Sequence, residues 1–125
     1  MVEYALTALI TFTLLMFIMD GGRIFMHYVT VSEAARVGAR YGITHGSRSA
    51  APISPGNYAA LQQEILNRTT LDPDVLTVLA SWNPGNSPGS KITVQVDYMV
   101  QPITSLFWPG RTLTLTGVST MVIQN

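Results

Sequence analysis

At 125 residues the chain has room for one modest domain. Seven Lys plus Arg offset seven Asp plus Glu, and only 11% of residues are charged, against roughly 25% in soluble domains. With a mean hydropathy of +0.28, this excludes a basic nucleic-acid surface and suits self-assembly or membrane contact. The absence of cysteine also excludes disulfide staples and thiolate-held metals.

The first element is a helix. From Tyr4 to Met19 sixteen residues carry no formal charge, which as a helix is about 24 Å against a bilayer core of about 30 Å. No small-x-small cleavage pattern follows, so the run does not read as a complete signal peptide. Apolar residues continue through Ile24, Phe25, Met26, Tyr28, Val29 and Val31, and no proline occurs before Pro52. The pattern predicts one helix from Val2 to about Tyr41, roughly 60 Å long. Its first half is apolar all round and its second half amphipathic. Gly21 and Gly22 fall mid-helix, where each costs about 1 kcal/mol relative to alanine, and mark a soft point, bent or locally melted. Asp20 and Arg23 at i,i+3 form a local pair or, in a bundle of helices, a bridge to a neighbour. Glu33 can pair with Arg36, and Arg36 shares a face with Arg40. Ala34, Ala35, Gly38, Ala39 and Gly42 make a seam of small residues that admits another backbone closely. That backbone belongs to the chain's own sheet or to a second copy.

Glu3 interrupts the apolar run near its start. An ionised acid inside a bilayer costs roughly 2.5–3.5 kcal/mol at the centre. Either Glu3 rests among headgroups, or it neutralises the terminal amine of a neighbouring helix and so sets axial register in a bundle.

Residues 44–54 are rich in Gly, Ser, Ala and Pro and read as a connection. A short helix follows, with Ser54 as cap, Pro55 in the first turn and Glu64–Arg68 as an i,i+4 pair. Asn67-Arg68-Thr69 is a glycosylation-type sequon. Asp72-Pro73-Asp74 has too few ligands for a calcium loop and reads as a turn. Beyond Asp74 the period becomes two. Leu76, Val78, Ala80 and Trp82 define one strand, residues 83–89 a turn, and Ile92, Val94, Val96 and Tyr98 the inner face of a second strand. A third runs from Arg111 to about Ile123, with Gly117 as a bulge that resets the phase. The fold class is α+β: a long hydrophobic helical stalk, then a head with a short helix and a three- to four-stranded antiparallel sheet. The division falls at residues 1–42 for the assembly helix and 43–125 for the head.

No nucleophile–base pattern, phosphate-cradling glycine loop or metal-ligand spacing occurs. The residues therefore point to no enzyme, no cofactor and no metal, and His27 and His45 read as packing residues. Leu106, Phe107 and Trp108 make the connection before the third strand more apolar than a solvated loop should be. They form either a lid over the core or a surface contact with a neighbour.

Glu3-Tyr4 at the head of an apolar helix, Gly22-Arg23, and Ala-Ala-Arg-x-Gly-Ala-Arg at 34–40 resemble the TadE-like pilins of tight-adherence, type IV-like pili. The resemblance covers residues 2–42, and the 34–40 stretch is its most specific part. It implies that Glu3 and Tyr4 match the family's glutamate and aromatic neighbour. The family's acid stands fifth in the mature chain; here it is residue 3. It also implies that a prepilin peptidase removes a leader, that the inner membrane holds the subunit before assembly, and that pilus machinery polymerises it. The expected function is a structural pilin subunit, a homopolymer in an extracellular filament used for adhesion. The alternatives are a minor pilin, or a single-span adhesin that displays its head without polymerising.

Overall fold

A computed structural model of the chain describes residues 1–103 and 110–124. Helix α1, Val2–Thr44, is 43 residues long, about 65 Å at 1.5 Å per residue. It runs through Gly21 and Gly22 as continuous helix, so the local melting expected there does not occur. Two adjacent glycines remove side chains but not backbone donors, so the hydrogen-bond ladder on either side carries across them.

Helix α2, Ala59–Arg68, begins after Tyr58, four residues later than Ser54 and Pro55 suggest. Ser54 and Asn57 instead exchange both backbone hydrogen bonds, at 3.2 and 2.9 Å. Pro55 and Gly56 thus lie at the centre of a tight turn, where a fixed φ and a missing Cβ are both favourable. Leu61 and Ile65 of α2 are fully buried. A short 3₁₀ turn, Pro73–Val75, follows, in which the Asp72 side chain accepts the Asp74 N–H at 3.1 Å.

Three strands complete the head: β1 Leu76–Asn83, β2 Lys91–Val100 and β3 Leu113–Val122. They form an antiparallel meander in the order β1-β2-β3. Alternation along β2 is strict, with Ile92, Val94, Val96, Tyr98 and Val100 buried and the intervening residues facing out. This is the period of two expected of a sheet covered on one face. The cover is α1 with α2. Val31, Ala34, Ala35 and Ala39 join the strand residues, Leu61 and Ile65 in one core. The connection between the helices is tied to the β1–β2 turn, where the Asn86 amide donates to the Ile53 carbonyl and Ser47 N–H donates to the Asn86 carbonyl at 2.9 Å.

Gly117 is not a bulge. β2 and β3 pair without interruption from Lys91↔Val122 to Val100↔Leu113, with Val96 opposite Gly117. The glycine answers a different need. A Cβ built on it would stand 2.7 Å from the Val31 carbonyl oxygen and 2.9 Å from the Val31 carbonyl carbon. Helix backbone lies directly on strand backbone here, and only a residue without a side chain fits between them.

Candidate functional site

Burial divides α1 into two regimes. Asp20 is its first buried residue, 4% exposed. Before it, twelve large apolar side chains between Val2 and Met19 stand exposed. Covering each would gain about 2 kcal/mol, so some 20 kcal/mol separates this stem in water from the same stem in lipid or against protein. The most apolar window of α1 has a hydropathy of 1.9 and buries none of its residues. By length and composition the helix can cross a membrane.

The stem's few polar side chains are prepared for such a setting. Thr7, Thr11 and Thr13 donate their hydroxyls to the carbonyls of Glu3, Thr7 and Leu9, at 2.8, 2.8 and 2.7 Å. A hydroxyl bonded back onto its own helix needs no water and no partner from outside. Sequence reading passed over these threonines, although each lies four residues beyond its acceptor, the spacing that signals the bond. Glu3 and Tyr4 lie exposed at the stem's free end. Gly21 and Gly22 also face open space, with nothing within 4 Å of a Cβ built on either.

The small-residue seam does something different. Ala34, Ala35, Gly38, Ala39 and Gly42 are all buried against the chain's own head. A Cβ on Gly38 would approach Ile65 Cδ1 to 2.8 Å and Val94 Cγ1 to 2.9 Å, and one on Gly42 would run into the Ile92 side chain. On the opposite side of α1, Ile18, Gly22, Phe25 and Val29 continue into Glu33, Arg36 and Arg40 at helical spacing. Phe25 and Met26 are 67% and 71% exposed. The outward face is therefore apolar up to Val29 and charged beyond it. Arg36 meets Glu33 at 2.7 Å, a solvent-exposed pair of little energetic weight. Arg40 borders a groove between the helices with Tyr41, His45, Glu64 and Arg68, and Glu64 and Arg68 are ion-paired.

Asp20 sits at the junction of the two regimes. Its carboxylate accepts the backbone N–H of Ile103 at 2.9 Å, across 83 residues. The acid therefore ties the end of the β2 connection to the helix, a link that i,i+3 spacing with Arg23 does not suggest. Arg23 points outward. His27 stacks on Tyr98 and His45 on Tyr41, with centroids 5.4 and 3.8 Å apart. Among the described residues no three His, Cys, Asp or Glu side chains gather as metal ligands. Asn67 is exposed. Leu106, Phe107 and Trp108 lie outside the described residues.

Residues 1–40 match the sequence model of one protein family, described as TadE-like protein. The match takes in the stem, the junction and most of the small-residue seam, and leaves the sheet outside it. No curated protein and no solved structure matches the chain.

Proposed function

We propose, from the TadE-like match of residues 1–40, that the chain is a structural subunit of a tight-adherence pilus. Its stems bundle with stems of other copies, and its heads form the outer surface of an extracellular filament that serves attachment. The observation that carries this reading is the stem itself, a helix whose most apolar window has none of its residues buried by its own fold. Before assembly that surface rests in the inner membrane, anchored by the same helix. On leaving the membrane it needs an equivalent apolar environment, and sister stems supply one.

Glu3 then acts through charge. At the end of a stem surrounded by other stems, an unpaired carboxylate is strongly disfavoured. Pairing with the positive N-terminal end of a neighbouring stem removes that cost only at one axial offset, which makes the acid a register device. Tyr4 adds an aromatic surface beside it. Gly21 and Gly22 are the positions on the open face where a neighbouring helix can approach closely. The role is architectural: the chain binds copies of itself, with a prepilin peptidase and the pilus assembly machinery as partners before polymerisation.

The test is isolation of sheared surface filaments and of the membrane fraction from the same cells. Filaments whose major band is this chain support the reading. Filaments in which it is a trace component assign it to a minor, initiating position. A chain found only in detergent-extracted membrane overturns polymerisation and leaves a membrane-anchored adhesin.

A further inference from the structure

The sheet of the head carries its charges in an unusual place. Lys91 and Asp97, the only charged residues in the three strands, both lie on the central strand β2. The edge strands β1 (LTVLASWN) and β3 (LTLTGVSTMV) contain no Lys, Arg, Asp, Glu or Pro. Edge strands normally carry such residues, because an open row of N–H and C=O groups invites another strand to pair. Here both edges lack that protection along 8 and 10 residues. Among the described residues, the only strand paired with either of them is β2.

The geometry points to edge-to-edge pairing between copies, in which β3 of one head adds to β1 of the next and continues the sheet around the filament. This rests on the reading that copies assemble with their stems side by side, and that reading sets the strand direction. β1 and β3 run the same way within one head, each antiparallel to β2. Copies whose stems all point one way therefore bring β3 against the neighbour's β1 in parallel. The register follows from two features. On the uncovered face Leu79, Gln95 and Val118 form one row across the sheet. Leu79 and Val118, at its two ends, are 49% and 58% exposed. Placing Val118 beside the neighbour's Leu79 covers both, as a cross-strand apolar pair. The same parallel register sets Arg111, just before β3, beside the neighbour's Asp72 and Asp74, just before β1. All three are exposed. An antiparallel arrangement would place them at opposite ends.

The partner is a second copy of this chain, and the contact is head to tail, so it propagates instead of closing into a dimer. The chain has no cysteine, which permits a direct test in the full-length protein. Within one head, Leu79 and Val118 are two strand spacings apart, about 9.5 Å, too far for a disulfide. In filaments of the Leu79→Cys, Val118→Cys double variant, mild oxidation is expected to give a ladder of linked copies on a non-reducing gel, and each single variant only monomer. Filaments without a ladder overturn edge pairing and leave stem-driven assembly standing. A dimer from Val118→Cys alone overturns it in favour of a two-fold β3–β3 contact. A wild-type chain absent from filaments overturns both readings. Should the double variant not reach filaments, Val118→Lys and Gln95→Lys decide. They add the same charge to the same row, and a filament yield lowered at least tenfold by the edge lysine alone supports pairing. Equal yields overturn it.

Discussion

The glycines of α1 and β3 meet three different surroundings, and substitution separates them. At Gly117 the neighbour is helix backbone, 2.7 Å from where a Cβ would stand, and backbone cannot turn aside as a side chain can. Gly117→Ala is expected to destabilise the head by about 2 kcal/mol, the usual scale of overpacking, measured by denaturant unfolding. Gly38→Leu meets Ile65 and Val94 and should cost about 3 kcal/mol by the same route. Gly21 and Gly22 meet nothing. Alanine there should stabilise the isolated chain by about 1 kcal/mol per site through helix propensity, yet lower filament yield if sister stems use the gap. Higher stability with undiminished filaments would remove the two glycines from the packing surface. Glu3→Ala should leave the chain inserted in membrane and unable to polymerise. Normal filaments from it would end the register argument.

At the scale of elements, α1 serves two solvents. Its first half is built for an apolar setting and its second half is a wall of the head, and Asp20 marks the change. Because Asp20 is buried and accepts the Ile103 N–H, Asp20→Ala should remove the acceptor of this part-buried bond and cost about 1 kcal/mol. Faster hydrogen exchange at the Ile103 amide would report the loss, with Thr30, whose hydroxyl bonds within the helix at 2.9 Å, as an unaffected reference. An unchanged Ile103 amide would mean that the tie is not stabilising. The strands follow from local alternation, while the place of α2 depends on the Ser54–Asn57 turn that delays it.

For the whole molecule, the core draws nothing from residues 2–19. A chain beginning at Asp20 is therefore expected to fold as a head in water and to unfold cooperatively by circular dichroism without detergent, whereas the full chain needs detergent or lipid. An aggregated or unfolded fragment would show that the stem contributes to the fold of the head. The long helix, to within three residues of its end, the alternation of β1 and β2 and the apolar character of the stem were all legible in the sequence, because each is a local pattern written in consecutive residues. The TadE-like match was legible for the same reason, since its residues are consecutive. The roles of Gly117 and Asp20 were not, because their partners, Val31 and Ile103, lie 86 and 83 residues away. A glycine in a strand looks alike whether it bends the strand or admits a helix. The direction of the small-residue seam was equally open: spacing placed Ala34 to Gly42 on one face of α1, and only the packed head decided that its own sheet occupies that face. Periodicity determines which residues share a surface, and tertiary contact determines what covers it.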